Sequence, residues 1–145
     1  MKLWPRHRPR DIASVKPRSA SALADLGDKS AKPLLRFRVR VTAGEIIAIG
    51  PGKVALLEAI AETGSINAAA KHLGMSYRRA WVLVDELNQS LRKPAVGSVT
   101  GGQHGGGSEL TDVGRRLVET YRRIETTATQ ACKDDISRLK RMLSR

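Results

Sequence analysis

The pattern that most constrains this chain lies between Gly64 and Leu91, where small and apolar residues are spaced for two short helices joined by a tight turn. Small residues let the two helices cross closely, and a glycine in the turn adopts a left-handed conformation without steric cost. Seven positions carry the pattern: Ile66, Ala69, Ala70, Leu73, Gly74, Met75 and Ala80. The spacing predicts a helix-turn-helix and leaves open an ordinary helical hairpin with a glycine turn.

Local signals set the expected ends of the helices around this turn. Pro51 suits the first turn of a helix, because its missing N–H has no intrahelical partner there, and Gly64 suits the residue that ends that helix. Ser65 is the expected cap of the second helix. The third helix is predicted from about Ser76 to Leu91. Its expected apolar face consists of Ala80, Leu83, Val84, Leu87 and Leu91.

A β-hairpin is predicted before the helices. Apolar residues alternate with arginines from Leu35 to Val41, and a period of two indicates a half-buried strand with one arginine face. Ala43-Gly44 is the expected turn, and Glu45–Ile49 is the expected second strand. The arginine face suits either DNA phosphate or water, and contact with water alone is the favoured interpretation.

A second hairpin is predicted after the third helix, with strands at Ala95–Thr100 and Ser108–Leu110. The seven-residue loop between them contains five glycines, whose unhindered N–H groups suit contact with a sugar-phosphate wall. This hairpin is the expected wing of a winged helix-turn-helix, and a simple hairpin tip is the alternative. The candidate DNA-binding residues of the loop are Gly101, Gly102, Gln103, His104 and Gly105.

The carboxyl-terminal part is predicted to be a long helix that starts after Thr111, with an apolar stripe near heptad spacing. Large apolar residues are scarce from Glu125 to Asp135, so a break or fraying is expected there. The stripe consists of Leu117, Tyr121, Ile124, Ala128, Cys132, Ile136, Leu139 and Leu143. We expect residues 34–124 to form the DNA-binding domain and residues 125–145 a helical extension available for a dimer contact.

Positive charge is concentrated at the start of the chain. The 145 residues hold 26 Lys and Arg against 14 Asp and Glu, and residues 1–40 alone hold 11 against 3. This excess favours a polyanionic partner, either nucleic acid or an anionic membrane surface. Residues 1–33 also hold four of the six prolines, so they are predicted to be a flexible basic arm that raises affinity for DNA. A solvated tail without a specific role is the alternative.

The start of the third helix holds the main candidate DNA-binding residues: Ser76, Tyr77, Arg78, Arg79 and Trp81. Arginine can bond guanine through two hydrogen bonds, and serine or tyrosine can contact phosphate or a base. A solvated arginine face is the alternative for the arginines, and packing against a neighbouring element or a dimer partner is the alternative for Trp81. The acidic pair Asp85-Glu86 lies further along the helix and is expected to face away from DNA.

The run from Gly50 to Trp81 resembles the amino-terminal DNA-binding domain of the molybdate-responsive ModE-type regulators, and residues 76–81 are its most specific part. The glycine-rich loop and the stretch from Leu110 to Tyr121 are similar to the same family, and LysR-type regulators share a more distant version. The resemblance covers roughly residues 35–125. It implies a homodimeric winged helix-turn-helix transcription regulator of the bacterial cytoplasm, associated with the nucleoid, whose partner is double-stranded DNA.

Full-length ModE-type regulators also carry carboxyl-terminal oxyanion-binding domains. Residues 111–145 have a helical pattern and supply no alternating strands for a β-barrel of that kind. We therefore expect no small-molecule effector site, molybdate included, within this chain. The expected fold is mainly α with small β-hairpins: a winged helix-turn-helix with a long carboxyl-terminal helix.

Other classes of site have weak signals. The run from Gly50 to Ala55 fits a dinucleotide-binding G-x-G-x-x-A pattern, but the helix-turn-helix occupies the place of the required second strand. The three histidines are scattered and Cys132 is the only cysteine, so no metal, cofactor or enzymatic activity is expected. No apolar run approaches the roughly 18–20 residues that cross a membrane. The alternative function is a non-specific DNA-coating protein or an interaction module that partners another regulator.

Overall fold

The computed structural model describes residues 32–101 and 106–143. Residues 34–143 form one body of five helices and two antiparallel two-stranded sheets within these described ranges. The elements in chain order are β1 (Val41–Ala43), β2 (Ile46–Ile49), α1 (Pro51–Thr63), α2 (Ile66–His72), α3 (Tyr77–Ser90), β3 (Val96–Val99), β4 (Gly107–Leu110), α4 (Asp112–Ala131) and α5 (Lys133–Met142).

The helix ends lie where the capping signals predict them. Pro51 occupies the first turn of α1, and Gly64 ends that helix in the left-handed region at φ 74°. The hydroxyl oxygens of Ser65, Ser76 and Thr111 each accept a hydrogen bond from a backbone N–H in the first turn of the helix that follows. Each of these bonds satisfies a donor that has no partner inside the helix, which explains why the three helices start there.

The core is aliphatic and is built mainly on α1, which packs against α2, α3, β4 and α4. Its largest fully buried side chains are Leu56, Leu57, Ile60, Leu87 and Val54. The α2–α3 turn has Gly74 at φ 66°, and the N–H of Met75 donates to the carbonyl of Ala70 at 2.9 Å. Ala69, Ala70 and Ala80 are fully buried between the helices. The predicted helix-turn-helix is confirmed.

The second hairpin is fixed against the carboxyl end of α1. Strand β3 pairs with β4 in a register that sets Val96 opposite Leu110. The N–H of Ser108 donates to the carbonyl of Gly64 at 2.9 Å. A Cβ on Gly107 would come within 2.6 Å of that same carbonyl oxygen, so only glycine fits this approach. The hairpin therefore has the position of a wing, and the winged helix-turn-helix fold is confirmed.

The predicted strand from Leu35 to Val41 is wrong for most of its length, because only Val41–Ala43 pairs with β2. The register sets Val41 opposite Ile49, which is the last residue of β2, so residues before Val41 have no strand beside them. The predicted alternation is nevertheless present: residues 35, 37 and 39 are half-buried and the intervening arginines are exposed. The hairpin turn lies at Gly44-Glu45, one residue later than predicted.

The carboxyl-terminal helical stretch is broken at Cys132, whose φ of −98° and ψ of 15° separate α4 from α5. This break lies inside the predicted interval from Glu125 to Asp135. Among the described residues, no helix is long and apolar enough to cross a membrane.

Candidate nucleic-acid interface

The start of α3 presents a cationic surface to solvent. Ser76 caps the helix by accepting from the N–H of Arg79 at 3.1 Å. Because α3 buries Ala80, Val84 and Leu87, residue 78 faces the opposite side of the helix. Arg78 and Arg79 are exposed. Within residues 32–101 and 106–143, neither guanidinium makes a hydrogen bond or an ion pair, so both are available to an anionic partner.

Tyr77 and Trp81 form an ordered pair on the edge of α3 that leads to the wing. The Nε1–H of Trp81 donates to the phenol oxygen of Tyr77 at 2.8 Å, one helical turn away. Tyr77 is half-exposed and Trp81 is half-buried. The bond fixes the tyrosine ring and leaves the hydroxyl hydrogen of Tyr77 directed away from Trp81. A hydroxyl held in this way is a donor suited to a phosphate or base oxygen.

Asn88 ties α3 to the wing. Its Oδ1 accepts from the N–H groups of Ala95 at 2.8 Å and Val96 at 3.2 Å, and its Nδ2 donates to the carbonyl of Val96 at 3.1 Å. One amide thus pairs three backbone groups at the start of β3. This contact sets the position of the wing relative to α3.

Lys53 ties α3 to the first hairpin. Its ammonium group is buried, with the side chain 5% exposed. The Nζ donates to the carbonyl of Ile47 at 2.6 Å and lies 3.2 Å from the Oε2 of Glu86. Glu86 is therefore paired with a cation of this chain. Its neighbour Asp85 accepts a hydrogen bond from the Nε2 of Gln89 at 2.7 Å.

The wing loop is described only at its two ends. Gly101 is exposed and has φ 89°, a conformation that favours glycine. The candidate residues Gly102, Gln103, His104 and Gly105 lie outside the described residues. At the other end of the loop, Gly106 and Gly107 each lie too close to a backbone carbonyl oxygen to carry a side chain. Packing thus accounts for these two glycines of the loop.

A second group of charges joins α4 to α1. The guanidinium of Arg122 bonds both carboxylate oxygens of Glu58, at 2.7 and 2.6 Å, and also bonds Glu125 at 2.7 Å. The Glu58 and Glu125 carboxylates raise the pKa of Arg122. At the start of the same helix, Arg115 lowers the pKa of Asp112 by bonding its carboxylate.

Lys53 and Asn88 were not predicted from the sequence as residues of the site. Each lies in a helix and bonds backbone groups of another element, and helical periodicity carries no signal for such a contact. The histidines and Cys132 were not expected to bind metal. In the described part of the chain, no three His, Cys, Asp or Glu side chains are grouped to hold a metal ion.

Comparison with known proteins finds similarity to a bacterial helix-turn-helix family and to ModE proteins. Residues 52–115 match the family described as bacterial regulatory helix-turn-helix protein, lysR family. The chain is 47% identical over 92 residues to the molybdenum transport protein ModE of Azotobacter vinelandii, an alignment that covers 62% of this chain and 34% of that protein. It is 40% identical over 88 residues to the DNA-binding transcriptional dual regulator ModE of Escherichia coli K12, covering 59% of this chain and 34% of the regulator.

The chain thus spans about a third of the length of the curated relatives it matches. One of these relatives is named as a molybdenum transport protein and the other as a DNA-binding transcriptional regulator. Among solved structures, the complex of the CbnR DNA-binding domain with DNA matches at a TM-score of 0.47 and 26% identity, covering 61% of this chain and 95% of that chain. The identities to the two ModE proteins confirm the predicted resemblance to ModE-type regulators, and the family match over residues 52–115 confirms the LysR-type relationship.

Proposed function

We propose that this chain, whose helix-turn-helix is related to those of ModE-type regulators, is a sequence-specific DNA-binding transcription regulator. The observation that carries the proposal is the start of α3, where Arg78 and Arg79 are exposed and unpaired within the described residues. A helix presented in this way enters the major groove, and its first turns reach base edges. Arg78 is the residue that reads a base.

The remaining candidate residues hold the protein in position on the duplex. Ser76 and Tyr77 lie at the start of α3 and contact phosphate or a base, and Trp81 lies beside them. Residues 101–105 of the wing loop contact the DNA backbone beside the major groove, because the N–H groups of their glycines are unhindered. Residues 1–33 add cationic contacts without selecting sequence, because they carry eight Lys and Arg against three Asp and Glu. A protein with this partner acts at the bacterial nucleoid.

The functional unit in this proposal is a homodimer. One recognition helix, α3, reads too few base pairs to specify a binding site, whereas the two recognition helices of a dimer read half-sites about 34 Å apart. Exposed apolar side chains on α4 and α5 support it: Ile124, Leu139, Met142 and, just after α5, Leu143. Burying such a surface between two copies removes it from water. Light scattering of the protein with and without DNA tests this point, and a monomer in both would contradict it.

The decisive experiment selects preferred sites from fragmented genomic DNA and then compares variants on the selected site and on random DNA. Arg78→Ala should cost about 1–3 kcal/mol on the selected site and much less on random DNA. Arg141→Ala, on the exposed surface of α5, is the matched control and should change neither affinity. Equal losses on both DNAs would make Arg78 a phosphate contact. A wild-type protein without any preferred site would support non-specific coating instead.

A further inference from the structure

Three arginines, Arg36, Arg38 and Arg40, lie in the segment of residues 35–40 that precedes β1, and their side chains face solvent. Residues 36, 38 and 40 are exposed, and the apolar residues between them are half-buried. The carbonyl of Val39 accepts a hydrogen bond from the hydroxyl of Tyr121 on α4 at 2.8 Å. This bond and the half-buried apolar face fix which side of the segment carries the arginines, so the guanidinium groups point outward.

Arg38 and Arg40 share a groove with the recognition helix. The groove has a volume of about 550 Å³ and is bounded by this segment, the first hairpin, the start of α1 and one edge of α3. Arg79 of α3 also lines this groove. The other charged residues that line the groove are Glu45, Lys53 and Glu86.

The charge of this groove is strongly positive. Lys53 and Glu86 neutralise each other, because their side chains are 3.2 Å apart. Three guanidinium groups then remain against the single carboxylate of Glu45 in the hairpin turn. Within the described ranges, Arg38, Arg40 and Arg79 make no side-chain hydrogen bond or ion pair that would satisfy them internally. An external polyanion is the partner that this charge distribution fits.

We propose that Arg38 and Arg40, together with Arg79, bind phosphates of the DNA backbone on the edge of the recognition helix opposite the wing. Arg79 and Asn88 are nine residues apart on α3, which places them on opposite edges at about 100° per residue. Asn88 marks the wing edge, since it bonds β3. The wing and the arginine groove thus lie on either side of the helix that enters the major groove, and each faces one of its walls.

The chemistry suits this role. The planar guanidinium fork of arginine bonds two phosphate oxygens at once. A segment that is already anchored to α4 loses less conformational freedom on binding than a free tail does. Contacts of this kind strengthen binding to every sequence equally, because phosphates carry no base identity. The inference rests on the proposed DNA-binding function and assigns a further contact surface to it.

The test measures affinity for a random-sequence duplex as a function of salt concentration. Arg38→Ala/Arg40→Ala should flatten the slope of log affinity against log salt by about 0.9 for each phosphate that is no longer bound, or about 1.8 for the pair. Arg38→Lys/Arg40→Lys should keep most of the wild-type slope, because the charges remain. Lys140→Ala/Arg141→Ala on α5 removes the same charge from another exposed surface and should leave the slope unchanged.

The outcomes separate this inference from the function on which it rests. A wild-type protein that binds no DNA would overturn both. Binding with an unchanged slope in Arg38→Ala/Arg40→Ala would overturn only the arginine groove. An equal loss in the α5 control would show that net charge alone acts, and it would also overturn the groove. Thermal unfolding of each variant identifies any that fail to fold, and the double Arg→Gln variant then replaces the alanine pair.

Discussion

The two flanks of α3 are held to it by different chemistry. The wing flank, β3 and β4, is held to α3 by the neutral amide of Asn88, which bonds three backbone groups. The arginine flank, residues 35–49, is held by the charged ammonium of Lys53, which bonds the carbonyl of Ile47 and pairs with Glu86 of α3. Both anchors fix a hairpin relative to the helix that would meet DNA.

The difference shows how an anchor is matched to its surroundings. An amide both donates and accepts, so Asn88 satisfies N–H and C=O groups together without adding charge near the wing. An ammonium group only donates, and burying it is costly unless carbonyls and a carboxylate surround it. Lys53 meets that condition, and its pairing with Glu86 leaves Arg38, Arg40 and Arg79 as the cations, unpaired among the described residues, that line the groove.

Removal of the wing anchor should have the largest effect. Asn88→Ala leaves the N–H groups of Ala95 and Val96 and the carbonyl of Val96 without their partner in a partly buried place. We expect the free energy of unfolding to fall by about 2–3 kcal/mol, measured by urea denaturation, because unpaired buried polar groups lose their hydration without compensation.

Two variants sharpen that result. Asn67→Ala, at an exposed position of α2, should change stability by less than about 0.5 kcal/mol. Asn88→Asp keeps the acceptor for both N–H groups and loses the donor to Val96, so its cost should lie between those of the wild type and Asn88→Ala. Equal stability of Asn88→Ala and the wild type would show that the amide does not fasten the wing.

Removal of the charged anchor should cost less. Lys53→Met keeps the length of the side chain and eliminates a buried charge, but it leaves the carbonyl of Ile47 without its donor. We expect a loss of about 1–2 kcal/mol in urea denaturation, since the relief of desolvation offsets part of the lost bonding. Lys71→Met on the exposed face of α2 is the control and should be near neutral.

A double-mutant cycle with Glu86→Gln separates the ion pair from the carbonyl contact. If Lys53 acts through Glu86, the two substitutions together should cost less than the sum of the single costs. A stability gain in Lys53→Met would show that the desolvation of the ammonium group costs more than its hydrogen bond and ion pair contribute. Lys53 would then lower the free energy of unfolding, whereas Asn88 raises it.

Local signals in the sequence predicted the helices well because each helix end depends on a neighbouring residue. Pro51 starts α1, Ser65 and Ser76 cap α2 and α3, and Gly64 adopts the positive φ that ends α1. The spacing of small residues likewise predicted the α2–α3 crossing, since helical periodicity decides which side chains face inward.

Interactions between distant residues had no such signal. Alternation correctly predicted the half-buried face of residues 35–39 but not their pairing, because a strand also needs a partner, and β2 ends at Ile49. The roles of Lys53 and Asn88 likewise depend on backbone groups of other elements. Exposed lysines and asparagines have the same local pattern, so only the folded arrangement distinguishes the two anchors from a solvated face.

The smallest predicted effect concerns the hydrogen bond that holds the start of the arginine flank, at Val39, to α4. Tyr121 is buried, and its hydroxyl donates to the carbonyl of Val39 at 2.8 Å. Tyr121→Phe removes this bond and keeps the ring, so we expect a loss of about 1 kcal/mol in the free energy of unfolding at pH 7. Tyr77→Phe, whose hydroxyl is on the exposed surface of α3, is the matched control and should cost less.

The same hydroxyl makes the stability of this flank sensitive to alkaline pH. Burial of the phenol raises the pKa of Tyr121 above its ordinary value of 10.0, with a further contribution from Glu125. The folded protein therefore keeps the proton to a higher pH than the unfolded chain does. The resulting stabilisation is fully present below pH 10 and is lost as the pH rises through the folded-state pKa. Tyr121→Phe should lack this part of the decline, so its unfolding free energy should approach that of the wild type above pH 10. A constant difference between the two proteins across that range would show that the Tyr121 hydroxyl does not titrate differently on folding.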